Sequence, residues 1–169
     1  MTTTPPAWAN APLVLYHGTI ERHMSSVLAE IDLRLAEARN DFGPGFYTTT
    51  LLRQAQRWAE DRADRYGDRP AVIAYQVSRD TLANLETLWF VRGEHENEEY
   101  WSFVFHCRTT AREAFHHGRA VNDGLYDIVV GPVAAFWKQK VVASGYDQVS
   151  FHTARAVGVL NACEKRRIS

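Results

Sequence analysis

The chain has 169 residues, of which 46% are hydrophobic and 12% aromatic, enough for one globular domain with a sizeable core. Nineteen basic residues against twenty acidic ones leave a formal charge of -1, which excludes a broad cationic face that would gather phosphate backbones non-specifically. Two cysteines, Cys107 and Cys163, make no disulfide framework, and neither has a Cys or His at zinc-ligand spacing, so a reducing compartment is expected.

The N-terminal stretch "MTTTPPAWANAP" lacks the charged and apolar regions of a signal peptide, and no apolar run approaches the roughly 18 residues of a membrane span. A cytoplasmic protein with no membrane partner is the expectation. Residues 1–12 are polar, proline-bearing and non-periodic, which predicts a flexible arm ahead of a single domain over 13–169.

Leu13, Val14, Leu15 and Tyr16 form a β-prone apolar run ended by Gly18, the pattern of a buried strand. Ile20, Met24, Val27, Leu28 and Ile31 follow at helical spacing. Asn40, Asp41, Gly43, Pro44 and Gly45 are turn formers. After "GFYTTT", the stripe Leu51, Leu52, Ala55, Trp58, Ala59, Arg62, Ala63 and Tyr66 predicts an amphipathic helix, capped by a threonine among Thr48 to Thr50 and stopped by Gly67, Asp68 and Pro70. "AVIAYQV" reads as a strand, "SRDTLANL" as a turn with a short helix and "TLWFV" as extended chain. A helix is expected within "GEHENEEYWSFVFHCRTTAREAF", with Trp101, Val104, Phe105 and Arg108 on one face. "YDIVVGPVA" reads as a strand closed by Gly131 and Pro132, "YDQVSFHT" as a short strand, and "TARAVGVLNAC" as a terminal helix with Ala154, Val157 and Leu160 inward. Lys165, Arg166 and Arg167 read as a solvated end. Strands recur without strict βαβ alternation, so the fold class is α+β with a mostly antiparallel sheet.

Familiar catalytic signatures are absent: there is no P-loop, no G-x-G-x-x-G and no G-x-S-x-G elbow. His116 and His117 point to different sides of any helix and find no third ligand at a standard spacing, so they read as a surface pair and no metal is expected. Trp58, Trp89, Trp101 and Trp137 read as packing residues, and Arg53 and Arg108 as solvated or structural ion pairs. Three strand-end motifs remain: "LYHGT" with His17, Gly18 and Thr19; "FGPGFYTT" with Phe46 and Tyr47; and "YDQVSFHT" with Asp147, Gln148 and Ser150.

In that order the motifs resemble the His-Tyr-Glu branch of the ADP-ribosyltransferase superfamily, the diphtheria-toxin and poly(ADP-ribose) polymerase side of it, and most closely a bacterial toxin-like family. The similarity runs from Tyr16 to about Leu160. It implies an ADP-ribosyltransferase-like fold with a split sheet and flanking helices, NAD+ as co-substrate, and a macromolecular acceptor, protein or nucleic acid. It also implies the setting of a toxin or phage-defence effector, with an antitoxin as partner.

Breaking the nicotinamide–ribose bond creates an oxocarbenium-like centre, so the dinucleotide must be pinned and positive charge stabilised. The resemblance makes His17, Tyr47 and Gln148 catalytic, and His17, Gly18, Thr19, Phe46, Tyr47, Gln148 and Ser150 the NAD+-binding set. His17 would hold a ribose hydroxyl, Gly18 the nicotinamide carboxamide through its backbone, and Thr19 the adenosine ribose. Tyr47 would offer a flat face to nicotinamide, while Phe46 points the other way into the core. Gln148 stands where the superfamily usually carries its glutamate; it keeps hydrogen bonds to the ribose but brings no negative charge. Glu98 and Glu99 are candidates for a replacement acid. NAD glycohydrolysis, and a non-catalytic NAD or ADP-ribose-binding module, are the alternative functions.

Overall fold

The computed structural model describes residues 11–91, 98–110 and 124–168. Most of the expected arm and the His116–His117 pair lie outside them. Two sheets form the frame. The first has three antiparallel strands in the order β1 (Leu13–Ile20), β3 (Pro70–Val77) and β7 (Glu164–Ile168). The second runs β2 (Phe46–Thr48), β6 (Val141–Phe151), β5 (Ile128–Phe136), β4 (Thr87–Trp89), antiparallel except for the β4–β5 pair.

Helix α1 (Glu21–Ala29) leaves β1 directly and buries Met24. With α5 (Ala154–Ala162), which buries Ala156, Val157 and Leu160, it covers one face of the first sheet over Leu15, Ile73 and Tyr75. Val149, Phe151 and Ile128 of the second sheet join this core, so one apolar cluster spans both sheets. The opposite face of the first sheet carries α2 (Leu52–Tyr66) on Ala55 and Ala59 against Val72, and α2 ends at Gly67 in the left-handed conformation. A second cluster, Phe42, Tyr100, Trp101, Val104 and Val129, packs α4 (Glu98–Thr110) on the far face of the second sheet. The short α3 (Arg79–Leu82) is capped by the Ser78 hydroxyl. The chain is thus α+β, with two mostly antiparallel sheets and five helices among the described residues.

Several local expectations are corrected. β5 passes through Gly131 and Pro132 instead of stopping there: beyond Val130 it has β6 on one side only, where a missing N–H is tolerated, and the pairing is irregular just after Pro132. β6 is eleven residues long and starts at Val141, five residues ahead of the expected strand. Residues Glu164–Ile168 form β7, with their charges at the sheet margin, and Arg167 pairs with Glu21 at 2.8 Å. α4 turns Tyr100 and Cys107 inward and leaves Phe105 53% exposed, while α5 buries Ala156 and exposes Ala154. Trp58 and Trp89 are exposed rather than packed, and only Trp101 of the four tryptophans is fully buried. No threonine caps α2: its N-cap is Leu51, without a side-chain cap bond, and Thr49 Oγ1 accepts from Leu51 N–H at 3.1 Å instead, one residue ahead of the helix.

Candidate active site at the split between the sheets

Among the described residues the backbones of the two sheets are bridged at one antiparallel rung, where Tyr16 and Thr49 exchange hydrogen bonds of 2.8 and 2.9 Å. Backbone groups of an antiparallel strand alternate in direction, so the N–H and C=O of Gly18, two residues past Tyr16, point to the same open edge of β1. By the same alternation the Tyr47 carbonyl points back toward β1. The ladder does not continue there. The His17 ring takes the Tyr47 carbonyl instead, Nδ1 donating at 2.7 Å, and it stacks on Phe46 with centroids 4.2 Å apart. The imidazole therefore holds the split open, with the Gly18 backbone at its mouth.

Burial pushes the His17 pKa down from 6.5 to about 4; the bond to Tyr47 opposes the shift and the Arg62 charge reinforces it. At neutral pH the ring is uncharged, its proton sits on Nδ1, and Nε2 is left as an acceptor. Gly18 is buried and is a glycine for a packing reason: a Cβ there would lie 2.2 Å from the Ala55 carbonyl of α2.

The turn before β2 is stapled by Tyr47. Its hydroxyl donates to the Gly43 carbonyl at 2.7 Å and accepts from Phe42 N–H at 3.0 Å, and burial raises its pKa well above the ordinary value. The ring packs with the Phe42 cluster and meets His152 edge-on at 6.2 Å. Phe46 turns the other way, edge-on to Tyr75 in the main core, as expected from strand alternation. Gly45 admits the His152 ring, which would come within 2.7 Å of a Cβ there. Tyr47→Phe is expected to lose both hydroxyl bonds and about 2 kcal/mol of stability, read by urea denaturation.

Gln148 is 7% exposed, and its amide nitrogen donates at 2.8 Å to both Asp41 Oδ2 and the Pro132 carbonyl. Asp41, 4% exposed, also accepts from Ala134 N–H at 2.8 Å and from two nitrogens of Arg108 on its other oxygen. Arg108 is thus the structural ion pair expected of it. Ser150 is fully buried on Gln148's side of β6, between the Val129 carbonyl and His152 Nε2. Asp147 faces away, as strand alternation requires, and binds Thr49 and Thr50. Thr19 is buried on the His17 side of β1. Glu98 is spent on Lys140 at 2.7 Å at the surface, and Glu99 is exposed on α4.

The structure gathers His17, Gly18, Phe46 and Tyr47 at the split and sets Gln148 and Ser150 behind Tyr47, on the strand next to β2. Sequence reading missed the carboxylate that touches Gln148. Asp41 passes for a turn residue because it stands among Asn, Gly and Pro, and its burial beside Arg108 depends on a helix 67 residues away. It also missed His152 and the Arg62–Glu37 pair, 3.3 Å apart, which ties the loop before β2 to α2. A cavity of about 340 Å³ lies beside Phe46, floored by Val27, Ile31 and Leu33 with Glu30 and Asp32 among its lining.

A split-sheet α+β domain with a histidine and a turn tyrosine at the split is the class that fold and site define. Within it, the chain belongs to the family described as protein of unknown function (DUF3990), which matches residues 13–143 and so takes in His17 and Tyr47 but ends before Gln148. No curated protein matches the chain. Among the described residues no helix is long and apolar enough to cross a membrane.

Proposed function

We propose that the protein is a mono-ADP-ribosyltransferase that takes NAD+ at the split, releases nicotinamide and transfers ADP-ribose to a macromolecular acceptor. The observation that carries this reading is the neutral His17 ring fixed by Tyr47, with Nε2 left as an acceptor beside the outward-facing backbone of Gly18. A ribose hydroxyl suits the first, and a carboxamide, which both donates and accepts, suits the second. Tyr47's hydroxyl is committed to the turn, so its part in binding is to fix the carbonyl that orients His17 and to offer ring surface. Gln148 stands at the position where resembling enzymes carry a glutamate and supplies a hydrogen-bond acceptor without a charge. Action as a toxin or defence effector, countered by an antitoxin, fits the resemblance.

The test is incubation with NAD+ labelled in its adenylate half, alone and with lysate fractions. Label on macromolecules together with released nicotinamide is the expected result. Free ADP-ribose alone would make the protein a glycohydrolase, and NAD+ binding without either product would make it a binding module, the reading that the uncharged Gln148 favours. Absence of binding and of products would end the proposal.

A further inference from the structure

We infer that Asp41 is a positioning residue for Gln148, fixing its carboxamide so that residue 148 acts only as a hydrogen-bond acceptor; the inference rests on the transferase reading of the site. Both hydrogens of the Gln148 amide are taken, one by Asp41 Oδ2 and one by the Pro132 carbonyl, each at 2.8 Å. A flipped amide would set its oxygen against a carboxylate and a carbonyl, two acceptors, and so replace two buried hydrogen bonds by two repulsive contacts. One orientation survives, and in it Oε1 carries no bond to the described residues.

Asp41 is itself immobilised. Arg108 takes Oδ1 with two nitrogens, the Ala134 N–H takes Oδ2, and Tyr100 steadies the Pro132 carbonyl from α4 at 3.0 Å. A carboxylate that accepts from an amide N–H draws electron density toward the amide oxygen, so Oε1 is a stronger acceptor than that of a free glutamine. Arg108 offsets the Asp41 charge, which leaves residue 148 a directed dipole and no base. Such a group can hold a hydroxyl but cannot take a proton from water, so the nucleophile must come from the acceptor.

The same geometry predicts that a glutamate does not suit this site. A carboxylate at 148 would face Asp41 Oδ2 and the Pro132 carbonyl without a hydrogen to give, and would have to carry a proton. The ionisable groups that act on Asp41 or on the Pro132 carbonyl are Arg108, Cys107 and Tyr100 of α4 and the Tyr47 phenol. Cys107 is pushed up to about 12, chiefly by burial and next by Asp41, and Tyr47 is raised too, so neither changes charge between pH 5 and 8.

Gln148→Glu is therefore expected to release nicotinamide about tenfold more slowly than wild type at pH 7.5, a loss of roughly 1.4 kcal/mol in transition-state stabilisation. Its melting temperature should fall by about 6 °C from pH 5 to pH 8 relative to wild type, because the folded state holds a proton that the unfolded chain has lost. Asp41→Asn/Gln148→Glu restores a donor opposite the new carboxylate, so the excess pH slope should vanish and turnover should recover. Should the double variant fail to fold, Gln148→Glu still decides the matter, since it leaves Arg108 and Ala134 on Asp41. A Gln148→Glu protein with a wild-type pH slope, or with turnover equal to or above wild type, would overturn the inference. If the wild-type chain neither binds nor cleaves NAD+, the transferase reading falls, while the melting slopes still judge the Asp41–Gln148 pairing.

Discussion

Gly18→Ala is expected to destabilise the protein by about 3 kcal/mol, lowering the melting temperature by roughly 6–12 °C. The new methyl group would lie 2.2 Å from the Ala55 carbonyl and 3.0 Å from the Ala59 nitrogen, both backbone atoms of α2, so no side chain can move aside to admit it. The helix has to shift as a body, and with it the Ala55 and Ala59 contacts to Val72. Gly158 on α5 is the control. A Cβ there meets nothing within 4 Å, so Gly158→Ala should stabilise by about 0.7 kcal/mol through helix propensity and a less flexible unfolded chain. If Gly18→Ala melts with wild type, the close seat of α2 on β1 is wrong.

His17→Asn is expected to have two separable consequences. The unfolded chain takes a proton on a histidine near 6.5, whereas folded His17 takes one only near pH 4, so acid favours unfolding across that interval. The folded state keeps its full stability above pH 6.5 and loses up to about 3 kcal/mol on the way to pH 4 through this group alone. The variant should lack that loss, which is read as the difference between the two proteins' urea midpoints at pH 7, 5 and 4. On the proposed reaction, nicotinamide release should fall about a hundredfold, because an acceptor held against the ribose is removed and the split loses its prop. Equal slopes in acid would show that the ring is not buried neutral; equal turnover would remove His17 from the reaction.

The parts of the molecule that were legible in the sequence are those fixed by local pattern. Strand β1, the α2 stripe with its glycine stop, and β3 between turn signals all follow from periodicity over a few residues. Alternation along β2 and β6 was enough to send Phe46 and Tyr47 opposite ways, and to put Ser150 with Gln148 and Asp147 against them. What escaped depends on partners distant in sequence. β7 is a charged segment that becomes a strand because β3 offers it an edge, and a propensity reading sees only its lysine and arginines. Phe105 and Trp58 are hydrophobic residues in amphipathic helices whose faces are set, within one residue, by what packs on them. Asp41 carries no local mark at all: its environment is assembled from Arg108, Ala134 and Gln148.

The strand order also fixes when the site can exist during synthesis. β2 gains its ladder partner only in β6, about a hundred residues later, and Gln148, Ser150 and His152 all arrive with that strand. A nascent chain can pair β1 with β3 and seat α2 early, since those contacts are close in sequence, but it must carry an unpartnered β2 until β6 emerges. The pocket wall is therefore completed only once β6 has joined β2, and a chain that has folded β1, β3 and α2 alone is a scaffold without a finished site.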